Sequence, residues 1–225
     1  MKNYFTKGEK LLWGCSVLLI LAAFLVFDRV NFLNPAASII GVTSLIFAAK
    51  ANPMGQALMI VFSLLYGIIS FGFSYYGEMI TYLGMTMPMS VFSLISWLKN
   101  PFNGSKSEVR VNRIRRKEVL LMCGLAIAVT AAFYFILNAF GTANLGLSTL
   151  SVTTSFVAVY LTFRRSPFYA AGYAANDIVL IILWILAARE NSWYISVVVC
   201  FAAFLVNDLY GFLNWRKIEK RQNGK

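Results

Sequence analysis

Eight long apolar segments, separated by charged and turn residues, constrain the fold of this chain more than any other feature. A helix that crosses the hydrocarbon layer of a bilayer needs about 20 mostly apolar residues. With 59% hydrophobic and only 13% charged residues, the chain lacks the polar surface of a water-soluble domain. We therefore predict an all-α integral membrane protein with eight transmembrane helices. The predicted spans are residues 11–27, 35–49, 54–72, 77–98, 119–139, 145–163, 167–188 and 193–213.

The distribution of basic residues agrees with eight spans. Lys and Arg number 20 against 9 Asp and Glu, and basic residues collect in the cytoplasmic loops of membrane proteins. If the N-terminus is cytoplasmic, eight spans place 18 of the 20 on the cytoplasmic side, many of them in residues 99–118. Arg29 and Arg189 fall on the other side. We therefore predict a multi-pass protein with both termini in the cytoplasm.

The composition leaves few kinds of catalytic or metal chemistry open. The chain has no His and three Cys, all inside predicted spans, so we expect no metal site, no disulfide framework and no His-dependent nucleophile. No catalytic residue and no cofactor is predicted. Asp177 with Asp208 is the one candidate pair for an intramembrane enzyme. The basic run 106–117 lies between two spans, which favours contact with anionic lipid headgroups over nucleic-acid binding.

Three pairs of similar short segments indicate an internal repeat. Gly41-Val-Thr-Ser44 resembles Ser151-Val-Thr-Thr154, Lys50-Ala-Asn-Pro53 resembles Arg164-Arg-Ser-Pro167, and Ser96-Trp97 resembles Asn214-Trp215, at offsets of 110, 114 and 118 residues. Spans 2–4 and 6–8 are therefore predicted to form two parallel three-helix repeats around a substrate site near the bilayer midplane. The predicted parts of this single transmembrane domain are an extra N-terminal helix (1–34), repeat 1 (35–98), a basic cytoplasmic loop with a linker helix (99–144), repeat 2 (145–215) and a basic cytoplasmic tail (216–225).

Polar and aromatic residues inside the spans are the candidate substrate-binding residues, because such side chains avoid lipid. They recur at helical spacing along the seventh span and continue on the fourth and eighth spans. The candidates are Glu78, Tyr82, Tyr173, Asn176, Asp177, Trp184, Asn207 and Tyr210. Pro88 removes a backbone N–H from the fourth span and is a candidate hinge. Trp97, Trp193 and Trp215 lie at span ends, where an interfacial aromatic belt is the default interpretation.

These residue types indicate the chemistry of the substrate. Aromatic rings stack on a flat ring and attract a cation, and amides hydrogen-bond to hydroxyl or carboxamide groups. Asp177 or Asp208 would add charge complementarity to a cation. No Lys or Arg lies within spans 2–8, so an unphosphorylated nucleoside or vitamin fits better than a nucleotide.

Longer motifs resemble the Pnu vitamin transporter family, and within it the bacterial nicotinamide riboside transporters. The motifs are Asn207-Asp-Leu-Tyr210-Gly-Phe212-Leu-Asn-Trp215-Arg after the Asn176 stripe, the ending Ser96-Trp97, and Tyr76-Gly-Glu78-Met-Ile-Thr-Tyr82-Leu-Gly-Met-Thr-Met-Pro88-Met. The resemblance implies a fold similar to the SWEET sugar transporters, with a 3-1-3 helix arrangement and the first span as an extra N-terminal helix. It also implies a homotrimer in the bacterial plasma membrane.

The resemblance further implies facilitated diffusion of nicotinamide riboside for NAD synthesis, made directional by intracellular phosphorylation. The family's pocket asparagines correspond to Asn176 and Asn207, and its pocket aromatics to Tyr210 and Trp215. We expect Trp184 and Tyr210 to stack on the substrate and Asp177 or Glu78 to attract its charge. Some relatives have an Asn where this chain has Met87-Pro88-Met89, and others carry thiamine or riboflavin. Thiamine or another unphosphorylated vitamin is therefore the alternative substrate, and an intramembrane enzyme or a subunit of an energised transporter is the alternative class.

Overall fold

All eight predicted apolar segments form helices in the computed structural model, which describes residues 4–72 and 76–224. Within these residues, seven helices are long and apolar enough to cross a membrane. The second segment forms a shorter apolar helix of 17 residues. The prediction of an all-α membrane protein is therefore confirmed. Lys2 and Lys225, which the charge argument assigned to the cytoplasmic tails, lie outside the described residues.

The helices begin and end close to the predicted span limits, except that the last one continues well beyond residue 213. The α-helices are α1 (Lys7–Ala23), α2 (Leu33–Ala49), α3 (Met54–Gly72), α4 (Tyr76–Thr81), α5 (Met87–Leu98), α6 (Arg116–Ala139), α7 (Leu145–Phe163), α8 (Tyr169–Ala188) and α9 (Ile195–Gln222). A π-helical turn, Phe24–Asp28, extends α1, and a short 3-10 turn, Ser192–Tyr194, precedes α9.

The fourth predicted span is interrupted close to its proline. A π-helical turn, Tyr82–Thr86, joins α4 to α5, and Pro88 lies in the first turn of α5. Proline has no N–H to donate to the carbonyl of Gly84, four residues earlier, and a π turn is a common way for a helix to absorb such a break. The proposed hinge therefore coincides with a real irregularity of the helix, although its role as a hinge stays a prediction.

Six elements pack as a closed ring in the order α2, α3, α5, α7, α8 and α9, and α9 returns to α2. The helix α1 packs outside this ring against α2 and α9, and α6 packs outside it against α7. Only 6% of the apolar stretch of α6 is buried inside the protein, so α6 presents most of its surface to the surroundings. This arrangement encloses the space in which polar side chains of the spans can avoid lipid.

A short hairpin follows α5, and the all-α prediction did not include it. Strand β1 (Pro101–Phe102) pairs antiparallel with β2 (Ser105–Val109). Asn103 and Gly104 between the strands both have positive φ, 48° and 76°. An Asn-Gly pair is a strong sequence signal for a two-residue hairpin turn. The hairpin could therefore have been predicted from these two residues.

The start of α1 and the end of α9 lie at the same end of the helix bundle as this hairpin. Close to the start of α1, the Glu9 carboxylate accepts a hydrogen bond from Lys50 Nζ at 3.0 Å. At the end of α9, Gln222 Nε2 donates to the carbonyl of Val109 at 3.0 Å. We call this the basic end, because residues 99–118 and the charged end of α9 lie there, and the other end the opposite end.

Replacing Gly55 by Ala is expected to lower the free energy of unfolding by about 1–3 kcal/mol, because the added methyl group overpacks a helix contact. A Cβ at this position would lie 2.6 Å from the backbone N of Ala48, so α2 and α3 would have to separate. Gly14→Ala is the control, because a Cβ on Gly14 would meet no other atom within 4 Å. Thermal unfolding of both variants in one detergent measures the difference, and equal melting temperatures would contradict the packing argument.

Candidate functional site

A small cavity of about 20 Å³ lies at the centre of the ring of helices, which is room for about one water molecule in this closed arrangement. Side chains from α2, α3, the second π turn, α7, α8 and α9 line it, so both predicted repeats contribute. No Lys or Arg is among the described residues that line it. The polar and phenolic side chains of the lining are Tyr82, Thr86, Ser155, Tyr173, Asn176, Asp177 and Asp208.

Two carboxyl side chains meet in this cavity. Asp177 on α8 and Asp208 on α9 are each 3% exposed and lie within hydrogen-bonding reach of each other. Ionised carboxylates only accept hydrogen bonds, so neither can satisfy the other, and Oδ2 of Asp177 has no partner among the described residues. Two negative charges in a low-dielectric site repel, and a shared proton or a bound cation relieves the repulsion. The pair is therefore suited to holding one positive charge.

The amide of Asn176 is fixed in orientation next to this pair. Its Oδ1 accepts hydrogen bonds from Thr154 Oγ1 at 2.8 Å and from Ser155 Oγ at 3.0 Å. Both donors lie on α7, so the contact joins α7 to α8. Because the carbonyl oxygen is already engaged, the Nδ2 donors are the part of this amide that can bind a hydroxyl or carbonyl group of a ligand.

Aromatic rings close the cavity toward the opposite end. The rings of Tyr66 and Tyr82 are 4.4 Å apart between centroids, and Phe62 and Phe201 pack against them at 5.9 Å. Trp184 belongs to the same buried cluster. Aromatic faces of this kind can stack on a flat ligand or attract a cation.

Two tryptophans close the cavity toward the basic end. Trp97 on α5 and Trp215 on α9 are both 0% exposed, and their rings lie 5.4 Å apart. The indole N–H of Trp97 donates to the carbonyl of Thr162 at 2.9 Å, and that of Trp215 donates to the carbonyl of Ala48 at 2.8 Å. The last helix of each predicted repeat therefore caps the end of the first helix of the other repeat.

The residues next to these tryptophans form hydrogen bonds between the same pairs of helices. Ser96 Oγ donates to the carbonyl of Phe163 at 3.0 Å, and Asn214 Nδ2 donates to the carbonyl of Ala49 at 2.8 Å. The donors are 118 residues apart and the acceptors 114 residues apart, which are two of the offsets between the similar sequence segments. The four bonds therefore connect the predicted repeats reciprocally.

The end of strand β2 and the residues after it bind both of these helix ends. Ala51 and Arg165 follow α2 and α7, and both have φ of 56°. The backbone N–H of Val109 donates to the carbonyl of Ala51 at 2.8 Å, and that of Asn112 donates to the carbonyl of Arg165 at 2.9 Å. Residues 109–112, which we call the cross-strap, thus join the two predicted repeats at the basic end.

The sequence of this chain matches a known family of membrane transporters. The family model described as nicotinamide mononucleotide transporter matches residues 31–217, which include the ring of helices up to the last five residues of α9 and leave out α1. The chain belongs to this family.

Relatives with established names agree with the family match. The nicotinamide riboside transporter PnuC of Neisseria mucosa is 26% identical over 217 residues, covering 95% of this chain and 82% of that protein. The protein of the same name from Haemophilus influenzae is 25% identical over 194 residues, covering 86% and 83%. The crystal structure of the vitamin B3 transporter PnuC matches with a TM-score of 0.84 at 23% identity, covering 97% of this chain and 94% of that one. The chain is therefore a PnuC-like, multi-pass membrane transporter.

In this PnuC-like transporter, four of the predicted site residues line the central cavity together. They are Tyr82, Tyr173, Asn176 and Asp177. Trp184 is 2% exposed and lies on α8 about 10 Å beyond Asp177 toward the opposite end, given the rise of about 1.5 Å per residue.

Two other predicted site residues point toward α1 and not into the cavity. Asn207 Nδ2 donates to Ser16 Oγ at 2.9 Å and to the carbonyl of Ala203 at 2.8 Å. The hydroxyl of Tyr210 donates to the Glu9 carboxylate at 2.7 Å. Asp208 faces the cavity, and consecutive helix positions differ by about 100°, so the residues beside it turn toward α1. Their assignment to the binding site stays a prediction.

Glu78 lies in a separate recess toward the opposite end. It is 5% exposed and shares the recess with Asn144, Ser148 and Glu190. Two acidic side chains, Glu78 and Glu190, therefore lie together in this recess and apart from the central cavity. The expected role of Glu78 in attracting the substrate therefore concerns a different position from that of Asp177.

Several lining residues were not predicted from the sequence, and the prediction for two tryptophans was wrong. The apolar part of the lining consists of Leu45, Met59, Phe62, Phe201 and Phe204, which have no signal that separates them from other apolar residues of a span. Trp97 and Trp215 are completely buried and do not form an interfacial belt, because their indole N–H groups cap helix ends inside the bundle. Trp193, by contrast, is 49% exposed.

Proposed function

We propose that this PnuC-like transporter carries nicotinamide riboside across the plasma membrane by facilitated diffusion. The observation that supports this most is a cavity with aromatic rings, an oriented amide and a carboxyl pair but no basic side chain among its described lining residues. Nicotinamide riboside has a flat cationic ring, a carboxamide and ribose hydroxyls. Asp177 and Asp208 neutralise the charge of the ring, Asn176 binds a polar substituent, and Tyr82 and Tyr173 contact the ring.

The same lining favours the riboside over its phosphate ester. The family description names the mononucleotide, whereas the two named relatives are riboside transporters. A phosphate group next to Asp177 and Asp208 would be repelled, and no guanidinium or ammonium group of the described lining would bind it. Phosphorylation inside the cell would therefore trap the product, make uptake directional and supply NAD synthesis.

Transport in this proposal follows from rocking of residues 35–98 against residues 145–215, which we interpret as the two parallel repeats. Aromatic clusters close the cavity on both sides, so access requires one of them to open. The π turn Tyr82–Thr86 and Pro88 supply the hinge next to the cavity. The basic end faces the cytoplasm by the charge rule, and a homotrimer is the assembly that the family resemblance implies.

Uptake by the purified protein in liposomes tests the proposal. We expect saturable entry of labelled nicotinamide riboside without ATP or an ion gradient, inhibited by excess unlabelled riboside and not by the mononucleotide. Accumulation should rise when the liposomes contain a kinase that phosphorylates the riboside. A requirement for a second protein would favour a subunit of an energised transporter, and equal competition by the mononucleotide would contradict the assignment of the cavity.

Replacing Asn176 by Leu is expected to lower riboside uptake at least tenfold, because the variant loses the Nδ2 donors and places an apolar group beside the polar part of the substrate. Asn138→Leu is the control, since Asn138 is an exposed amide within α6. Initial rates of uptake, with gel filtration to verify folding, measure the effect. Equal rates for the two variants would exclude Asn176 from the binding site.

Thiamine is the second candidate substrate, because the carboxyl pair suits other cationic rings as well. Competition for riboside uptake separates the two. If thiamine inhibits at lower concentration than unlabelled riboside does, thiamine becomes the preferred substrate. Riboflavin, which is uncharged, should compete least with either cation.

A further inference from the structure

A second pocket lies at the basic end, outside the ring of helices and away from the central cavity. It has a volume of about 1050 Å³ including its open side. The segment after the cross-strap, the first turns of α6, the loop before α8 and the end of α9 form its walls. We call it the basic-end pocket. The residues that matter for its chemistry are Arg113, Ile114, Met122, Phe168, Arg216 and Glu219.

One half of the basic-end pocket carries an excess of positive charge. Glu219 is buried and pairs with Arg113 Nε at 2.6 Å and with Arg216 Nη1 at 3.4 Å. One carboxylate therefore faces two guanidinium groups, which leaves a net positive charge. Each guanidinium has five N–H donors, so both retain donors for another anion. The guanidinium of Arg216 also lies 5.2 Å from the ring centre of Phe168, which holds it at the pocket wall.

Further basic side chains lie next to the pocket without enough acidic partners. Burial, together with the neighbouring guanidinium groups of Arg164 and Arg110, lowers the pKa of Arg165. Nε of Arg165 is buried and has no hydrogen-bond partner in the described part of the chain. Arg164 itself pairs with Glu118. The surroundings of the pocket therefore attract anions over and above its own two arginines.

The other half of the basic-end pocket is apolar and continuous with a surface that faces lipid. Ile114, Met122 and Phe168 line this half. Met122 belongs to α6, and only 6% of the apolar stretch of that helix is buried inside the protein. A ligand that satisfies both halves must carry an anionic group and a hydrocarbon chain. Free phosphate or a nucleotide would leave the apolar half uncovered.

We propose that the basic-end pocket binds the phosphodiester group of an anionic phospholipid, with the start of an acyl chain against α6. Arg113 and Arg216 bind the phosphodiester oxygens, for which the planar guanidinium geometry is suited. The lipid links the segment after the cross-strap to α6 and α9, and it thereby stabilises the basic end of the transporter. This inference concerns lipid binding only and does not depend on which vitamin is carried.

Native mass spectrometry of the full-length protein, extracted from mixed vesicles, tests this site. With equal amounts of phosphatidylglycerol and phosphatidylcholine, we expect the protein to retain phosphatidylglycerol at least tenfold more. The Arg113→Gln/Arg216→Gln variant should lose this preference. Lys217→Gln/Lys220→Gln is the control, because both lysines are exposed on the same helix end and their loss removes the same net charge.

A second measurement covers the case in which the arginine variant folds poorly. Addition of phosphatidylglycerol to the wild-type protein in detergent should raise its melting temperature more than phosphatidylcholine does, and inorganic phosphate should not. Equal retention of the two lipids, or an equal loss of preference in the lysine control, would overturn the proposal. Equal stabilisation by inorganic phosphate would also overturn it and would identify a site for a free anion.

Discussion

Replacing both Asp177 and Asp208 by Asn is expected to lower uptake of nicotinamide riboside at least a hundredfold, whereas each single replacement should leave more than a tenth of it. One carboxylate suffices to neutralise one cationic ring, and Asn has the shape of the protonated partner. The double variant has no charge left. At about 4 Å and an effective dielectric constant near 20, loss of the last charge costs about 4 kcal/mol, which is several hundredfold in binding.

Initial rates of riboside uptake in liposomes measure this difference. Inhibition of the same uptake by an uncharged competitor serves as the reference. The single variants also test the enzyme alternative, because a catalytic carboxyl pair needs both members in their roles. If each single variant is as inactive as the double variant, and if the wild-type protein releases nicotinamide from the riboside, the carboxyl pair acts in catalysis. Loss of riboside transport with no release of nicotinamide in any variant agrees with a counter-ion for a transported cation.

Replacing Trp97 by Ala is expected to lower the free energy of unfolding by about 3–5 kcal/mol, the range for removal of a large buried aromatic side chain. The indole is 0% exposed and contacts Trp215. Its loss also removes one of two hydrogen bonds to the carbonyl of Thr162, which keeps the bond from the backbone N–H of Arg165 at 2.9 Å. Trp97→Phe retains an aromatic ring but not the N–H, so we expect a smaller loss of about 0.5–1.5 kcal/mol from the missing hydrogen bond.

Trp193→Ala is the matched control for this prediction, because Trp193 is 49% exposed and lies at the opposite end of the bundle. Its melting temperature in the same detergent should stay close to that of the wild-type protein. A Trp97→Ala variant that melts with the control would show that the closure at the basic end contributes little to stability.

The extent of prediction from sequence differs between the helices and the site. The apolar segments and the distribution of basic residues predict the spans. The bilayer restricts spanning segments to apolar helices and keeps most basic residues on the cytoplasmic side. The sequence predicts Asn176 and Asp177 as site residues, because polar side chains inside a span face protein or water and not lipid. Helical spacing does not say which side of a helix meets which neighbour. Asn207 and Tyr210 therefore looked like lining residues, although their side chains bind α1.

Trp97 and Trp215 show a second limit of the sequence. An aromatic residue at a span end has the same local pattern whether it lies at the lipid interface or caps another helix. The similarity of Ser96-Trp97 to Asn214-Trp215 was the available signal, but it indicated a repeat without saying what the repeated residues do. Their partners, the carbonyls of Thr162 and Ala48, are backbone atoms and have no sequence signature.

The reciprocal indole bonds carry an implication for the ancestry of the chain. In each predicted repeat, the indole N–H donates to a carbonyl of the other repeat, so neither predicted repeat satisfies its own tryptophan. Two identical copies of a single three-helix chain, related by a twofold axis along the membrane normal, would make all of these bonds with one set of residues. Gene duplication and fusion would then need only a linker helix to bring the second copy into the same orientation, and α6 is placed to serve as that linker.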